Sequence, residues 1–542
     1  MTNETDDITL QLDSVQSGEI KVHSQIINDL SSGIYSSPAS CIKELINNSY
    51  DADASLVTIR MKPVEDTITI MDDGDGMNAI DFSENFAWIS KSNKRNLGSV
   101  SQKGRPLIGK IGIGFIAVNE ICDTLEVIST KKNEKFKFTA TIDLKDYQNK
   151  NVEKKDNEGN IIGYIKGAYT LINEEEDESE HYTIIRLVSL KETVVSIFRD
   201  EVYKTQIAKT KNKSFGKSLF KNMKELLEFH SNKNLHSFGE DSQYVQFILD
   251  LASYIPIEYI DEGPIPTYHD KVIDEIVNFH KQLNFKVDLD GIYLRKPIYF
   301  PTEKNKHFKV KSFKKEIEIT KTDKIKFRGY FYTQNKLLIP RELNGVSIRI
   351  KNIPIAEKFG FDTTFLDYPN YTDQIFRNWI SGELYIEEGL EEAMNIDRQS
   401  FRVTHPHYLA LQSFVHKFLR EEFFSTVVQQ IFEEGSKRRQ TKKKAEKSNE
   451  RKKLLNTLAV KVEFKAPSKK GDGENFVVKK STNKETVVEV DKNFMNQFTK
   501  KDWEFLEDIF LIFELSLKEA KSDINSLKSI FYNKVVDWKS KK

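Results

Sequence analysis

At 542 residues the chain is too long for a single hydrophobic core, and about two to four domains are expected. Lysine plus arginine (82) equals aspartate plus glutamate (82), so no global field draws the whole chain to nucleic acid or to a membrane. Cys41 and Cys122 make no disulfide framework. The acidic start MTNETDDITLQL has no signal-peptide character, and no apolar run approaches the ~20 residues that span a bilayer. A soluble, cytoplasmic protein is the expectation.

In chain order, Ile8, Leu10 and Leu12 alternate as a strand does, and Ile26, Ile27 and Leu30 predict a helix. Ser37 before Pro38 is an N-cap followed by proline at the first helical position, so a helix is predicted to start there. Ile42, Leu45 and Ile46 form its apolar stripe. Glu44 and Asn48 sit four apart and share a side, with Asp51 about one turn on. A carboxylate and a carboxamide displayed together can polarise a water and hold a divalent cation through oxygen; a solvated polar face would show the same residues. Thr67 to Met71 alternates as a strand and runs into Asp72-Asp73-Gly74-Asp75-Gly76-Met77. A polar stretch from Ala87 to Pro106 follows, then the glycine-rich Ile108-Gly109-Lys110-Ile111-Gly112-Ile113-Gly114-Phe115. Gly104 to Lys110 spells GxxxxGK, but Ile111 stands where a P-loop needs a hydroxyl for magnesium, and no strand precedes it. Gly112 to Ala117 imitates a dinucleotide fingerprint and also lacks its leading strand.

Taken together, ELxxNSxDA around Glu44, DxGxGM at Asp72 and the loop from Gly109 to Phe115 resemble the N, G1 and G2 boxes of the GHKL ATPases: gyrase, the ninety-kilodalton heat-shock chaperones, histidine kinases and MutL. Thr183, in the strand-like Tyr182 to Leu187, resembles the last box, with Tyr182 in place of the usual glycine. The histidine-kinase branch is set aside, because about forty residues before the first box leave no room for its helix pair. The resemblance implies a mixed α/β fold, a two-layer α+β sandwich of the Bergerat type whose sheet backs the Glu44 helix. It implies ATP and Mg2+ as cofactors, Asn48 as the residue that carries magnesium and Glu44 as the base. Asp72 would accept the adenine amino group, Gly74, Gly76, Met77 and Thr183 would complete that pocket with Asp51 close by, and Gly109, Lys110, Gly112, Gly114 and Phe115 would close on the phosphates. The stretch from Ala87 resembles the ATP lid, and there Lys91, Lys94, Lys103 and Arg105 either reach phosphates or lie in solvent.

Residues 123 to 190 read as short strands with an acidic hairpin tip at Glu174 to Glu178. Beyond about 195 the texture shifts to amphipathic helices (Phe220 to Phe229, Tyr244 to Tyr254, Val272 to Leu283) and strands (Lys286 to Leu289, Phe327 to Tyr332, Gly345 to Ile355, Ile380 to Ile386). Asn395-Ile396-Asp397-Arg398 follows. This order resembles the middle, transducer domain of prokaryotic heat-shock-90-like proteins, whose loop arginine meets the γ-phosphate. Arg398 is the candidate sensor, and Lys351, placed on a strand, the alternative. From His405 a long helix runs into 436–453, where ten basic and two acidic residues give a local charge of +8. That stretch is either a nucleic-acid-facing surface or a solvated extension. Strands at Val460 to Phe464 and Thr486 to Val490, then helices at Trp503 to Leu517 and Ile524 to Trp538, suggest a mainly helical C-terminal region that packs or dimerises.

The expected division is 1–195 for ATP binding, 196–404 for the transducer-like α/β domain, 405–456 for the long helix and 457–542 for a small C-terminal module. The expected function is a Mg-dependent ATPase working as an ATP-driven clamp, heat-shock-90-like and dimeric, with either a protein client or nucleic acid bound through 436–453 as its partner. Alternatives are a DNA-associated clamp of the MutL or MORC kind, in genome maintenance or anti-phage defence, and an ATP-sensing scaffold without turnover.

Overall fold

The computed structural model describes residues 37–62, 65–87, 100–109, 118–145, 152–155, 157–159, 161–165, 168–205, 220–233, 235–266, 268–300, 308–334, 337–356, 359–366, 379–395, 398–458, 461–465, 476–481 and 485–490. Isolated positions between 499 and 520 are also described. The expected strand and helix before residue 37 and the last helix, from Ile524, lie outside these residues.

Helix α1 (Pro38–Asp51) begins as its sequence predicts. Ser37 Oγ accepts from the Ser40 amide (3.2 Å) and Ser40 Oγ accepts from the Ser37 amide (3.1 Å), a reciprocal cap with Pro38 just inside. Strands β1 (Leu56–Lys62) and β2 (Thr67–Asp72) alternate buried and half-exposed positions, with Val57, Ile59 and Met61 inward. Next come β3 (Cys122–Thr130), β4 (Phe136–Asp143), the separate hairpin of β5 (Val152–Lys155) and β6 (Ile161–Ile165), β7 (Tyr169–Glu175) and β8 (Tyr182–Leu190). Helices α2 (Glu192–Phe198), α3 (Met223–Asn232), α4 (Gln243–Tyr254) and α5 (Lys271–Gln282) lead to β9 (Lys286–Leu289) and β10 (Ile292–Tyr293). The first sheet has the order β10-β9-β1-β2-β8-β3-β4-β7 and is antiparallel except where β9 runs parallel to β1. It therefore draws two strands from the stretch that the sequence assigned to the second domain.

Ile42, Leu45 and Ile46 are fully buried and share one core with β1, β2, β3 and β8. Helix α4 packs on α1 from the other side, with Val245, Ile248 and Leu249 at 0% exposure. Burying each such aliphatic side chain contributes about 1.5–3 kcal/mol. The second sheet holds β11 (Phe308–Glu318), β12 (Lys324–Gln334), β13 (Gly345–Ile350), β14 (Ile353–Pro354) and β15 (Ile380–Glu388), ordered β11-β12-β15-β13-β14. The single strand expected over Gly345 to Ile355 is instead a hairpin. Lys351 (φ 51°) and Asn352 (φ 70°) turn the chain between β13 and β14, so Lys351 stands on a turn. Helix α6 (Pro406–Phe418) lays Phe414 and Phe418 on Phe313 and Phe327 with ring centres 4.7–6.0 Å apart. After a wider π-helical stretch comes α7 (Gln429–Leu458). Residues 1–431 form one compact unit and 432–542 a second. The second unit holds a small sheet of β16 (Lys461–Lys465), β17 (Phe476–Ser481) and β18 (Glu485–Val490), of which β17 was not expected.

Candidate functional site

Helix α1 is covered on nearly every side. From Ala39 to Asp51, Glu44 and Asn48 are the two positions that are not buried. Their i, i+4 spacing makes one open line on an otherwise enclosed helix, which distinguishes them from a solvated polar face. Even Lys43 (3% exposed) is enclosed, its ammonium 4.3 Å from the centre of the Tyr254 ring of α4.

Beside that line three strands present a polar row. Asp72 at the end of β2 pairs with Thr183 of β8, and Thr183 pairs with Ser129 of β3. Directly paired residues share a face, so the three side chains stand abreast. Asp72 is 5% exposed and accepts from Ser49 Oγ of α1 (2.7 Å) and from the Gly74 amide (2.9 Å). Burial pushes its carboxyl up to about 6, against the pull of those two hydrogen bonds. Ser129 Oγ donates to the Tyr182 carbonyl (2.7 Å), accepts from the Met77 amide (2.9 Å) and lies 3.0 Å from Thr183 Oγ1. The two glycines are sterically required. A Cβ at Gly74 would sit 2.8 Å from the Ala52 carbonyl oxygen, and one at Gly76 (φ 70°) only 1.9 Å from that of Thr130. Tyr182, where the family has glycine, turns its hydroxyl outward to Glu176 (2.7 Å) and leaves only its backbone at the row.

Asp51 has a role the sequence did not assign. It is 8% exposed, and its two carboxylate oxygens accept from the amides of Ile108 and Gly109, both at 2.7 Å. The carboxylate holds the start of the glycine loop. The end of the lid stretch is anchored as well. Ser101 Oγ (2.6 Å) and the Lys103 amide (2.9 Å) donate to the Asp53 carboxylate, and Lys103 Nζ donates to the Asp53 carbonyl (2.7 Å). Arg105 is buried, donates to the carbonyls of Ala54 (2.6 Å) and Asn284 (3.1 Å), and lies over Tyr50 and Phe285. Lys103 and Arg105 are thus structural anchors, where the sequence left them open between phosphate contact and solvent. Lys91, Lys94, Lys110, Gly112, Gly114 and Phe115 lie outside the described residues.

Residues 35–166 match the family described as histidine kinase-, DNA gyrase B- and HSP90-like ATPase. This stretch belongs to the GHKL superfamily. The chaperone protein HtpG of Sulfurovum sp. (strain NBC37-1) is 30% identical over 165 residues, covering 26% of this chain and 26% of that protein. A candidate type II restriction enzyme, HgiDII of Herpetosiphon aurantiacus, is 34% identical over 113 residues, 21% of this chain and 18% of that one. HtpG of Campylobacter jejuni subsp. doylei is 26% identical over 184 residues, 29% of this chain and 30% of its own. The chain thus spans about a quarter of the length of the relatives it matches. The heat-shock-90 likeness of this GHKL domain and its mixed α/β fold agree with the sequence reading.

Arg398, in the loop beyond β15, lies close enough to helix α1 for its charge to act on Lys43, the neighbour of Glu44. Burial is the main force lowering the Lys43 pKa, Glu44 and Asp250 oppose it, and Arg398 adds to it. Arg398 has a left-handed backbone (φ 56°) in a loop closed by the Asn395 amide on the Ser400 carbonyl (3.0 Å). Lys351 is paired with Glu391 (3.3 Å). Ser49, Ser129 and Asp53 escaped the sequence reading. Ser49 lies inside the first box and carried a signal; the others are ordinary residues whose partners are remote in sequence.

Proposed function

We propose that the chain binds ATP against the Asp72–Thr183–Ser129 row and hydrolyses it with Glu44 as the base, in an ATP-driven conformational clamp. The observation that carries this reading is the open Glu44–Asn48 line on a helix buried everywhere else from Ala39 to Asp51. Asp72 accepts the adenine amino group; Gly74, Gly76, Met77 and Thr183 shape the pocket around the base. Gly109, set by Asp51, begins the loop that with Lys110, Gly112, Gly114 and Phe115 closes on the phosphates, and Lys94 approaches from the lid.

Among the described residues no group of three or more His, Cys, Asp and Glu could hold a metal ion. A single open amide fits an ion that keeps water and phosphate as its other ligands, so Asn48 would hold Mg2+ brought in with ATP. Bound there, the ion would neutralise phosphate charge. Phosphoryl transfer depends mainly on positioning and charge, and Arg398 supplies the cation from the loop that follows the second sheet. The transducer role of that sheet, and dimerisation through the C-terminal region, belong to the same reading. The name of the HtpG relatives favours a protein client. The name of the HgiDII relative favours DNA.

The test is a pair of variants read by calorimetric ATP titration and phosphate release. Glu44→Ala should keep ATP affinity and lose turnover about a hundredfold or more. Asp72→Asn should lose binding, since an amide presents donors to the adenine amine. Unchanged ATP affinity in Asp72→Asn would overturn the pocket, and unchanged turnover in Glu44→Ala would overturn the base.

A further inference from the structure

The helix α7 carries a feature that the nucleotide site does not use. Residues 436–453 lie within it, and from Ser436 to Asn449 every position is exposed. This stretch holds ten Lys and Arg against Glu446 and Glu450. With 3.6 residues per turn the charge is not confined to one face. Lys437 and Lys444 fall on one side, Arg438 and Lys442 on a second, Arg439 and Lys443 on a third. A helix that lies on a membrane needs an apolar face opposite its basic one, and this stretch has none. A helix packed on its own domain needs an apolar stripe, which is also missing. Positive charge on every side suits an environment with anionic walls on more than one side.

We propose that residues 436–453 of α7 dock in the major groove of B-form duplex DNA. The major groove is about 12 Å wide and an α-helix with its side chains about 10–12 Å across, so the helix fits with a row of phosphates on either flank. The 18-residue stretch is roughly 27 Å long at 1.5 Å per residue. Duplex DNA presents one phosphate per about 1.7 Å of axis, so phosphates outnumber the ten cations along that length. An A-form RNA duplex has a deep, narrow major groove that does not admit the helix. Lysine and arginine on phosphates position a protein without reading bases, so sequence preference is weak. This proposal is independent of the nucleotide reading.

The experiment measures binding of the full-length protein to a mixed-sequence 30-base-pair DNA by fluorescence anisotropy from 50 to 200 mM salt. Each phosphate contact contributes about −0.9 to the log–log slope. Replacing Lys442, Lys443 and Lys444 with Gln should make the slope shallower by about 2.7, so over that fourfold salt range the wild type loses roughly 40-fold more affinity than the variant. Replacing the same three with Arg keeps the charge and should keep the slope. The matched RNA duplex should bind at least tenfold more weakly than the DNA. Absence of salt-dependent DNA binding, a Gln variant with the wild-type slope, an Arg variant that loses it, or equal or tighter binding to RNA duplex or polyglutamate would overturn the proposal. ATP affinity of the Gln variant, measured in parallel, should equal that of the wild type, which separates this outcome from the fate of the nucleotide site.

Discussion

Asp72 is buried, yet its proposed task calls for an ionised acceptor. Its carboxyl, pushed up to about 6 by burial, stands above the ordinary aspartate value of 3.8. The fold therefore favours the protonated acid. The linked contribution, about 3 kcal/mol, is fully present below about pH 4 and is lost as pH rises through 6. Nucleotide binding runs the other way. Affinity for ATP is expected to hold from pH 8 down to about 6 and then fall by up to tenfold per unit, because the neutral acid is a weaker acceptor. The hydroxyl of Ser49 lowers this pKa, so Ser49→Ala should move the midpoint up by about one pH unit. Calorimetric titrations at a series of pH values check both, and a pH-independent affinity would remove Asp72 from the adenine pocket. The two thiols take no part in such chemistry: burial pushes Cys41 and Cys122 each up to about 12, where the nucleophilic thiolate is absent at neutral pH.

At the scale of elements, α1 and the glycine loop are joined through one carboxylate. Asp51→Asn turns one of the two acceptors facing the Ile108 and Gly109 amides into a donor. Loss of a charge-assisted hydrogen bond costs about 1.5–3 kcal/mol, so ATP should bind roughly 10- to 100-fold more weakly while adenine alone is little affected. Equal losses for ATP and adenine would place the effect in the base pocket. The second sheet is tied to α5 and the loops on either side of it by a different device. Glu383 of β15 is fully buried and accepts from Arg349 Nε (2.6 Å), Tyr259 Oη (2.6 Å) and Tyr330 Oη (2.7 Å). Next to it Lys296 Nζ donates to His280 Nε2 (2.6 Å), and His280 Nδ1 donates to the Ile276 carbonyl (2.7 Å). Burial, then the Lys296 charge, holds the His280 pKa well below the ordinary imidazole range, so this ring stays neutral. Glu383→Leu would strand the Arg349 charge and should cost about 3–5 kcal/mol in urea unfolding. Adding Arg349→Met should restore most of the loss; a double variant no better than the single would contradict this account.

For the whole molecule, the parallel pairing of β9 with β1 bears on how the GHKL domain can be studied. A fragment ending at 195 lacks β9 and leaves the edge of β1 unpaired along Leu56 to Ile59. It also loses α4, which covers α1. Such a fragment should therefore unfold at lower urea than residues 1–431, and the contribution of Arg398 is better read by point substitution. Arg398→Ala in the full chain is expected to lower ATP turnover by about 10- to 1,000-fold with ATP affinity within threefold of wild type, since the arginine acts where charge develops in the transition state. Equal loss in affinity and turnover would make it a ground-state ligand.

Sequence alone determined the features whose causes are local. The Ser37–Pro38 cap, the Ile42–Leu45–Ile46 stripe, the alternation in β1 and β2 and the glycines after Asp72 each depend on neighbours within a few residues, so short stretches record them. The GHKL boxes were legible for the same reason. Tertiary structure decided what depends on distant partners. Asp51 as the clamp of the glycine loop, Ser129 as the support of Met77 and Thr183, and Arg105 as an anchor rather than a phosphate ligand each depend on atoms brought in from another element. Lys351 belongs partly to each class: its turn is local, but its pairing with Glu391 is set by the fold. The pairing of β9 with β1 bridges more than two hundred residues, and no local pattern encodes which edge a four-residue strand will join. That choice is made by the closure of the intervening helices, α4 packing on α1 among them, which exists only in the folded chain.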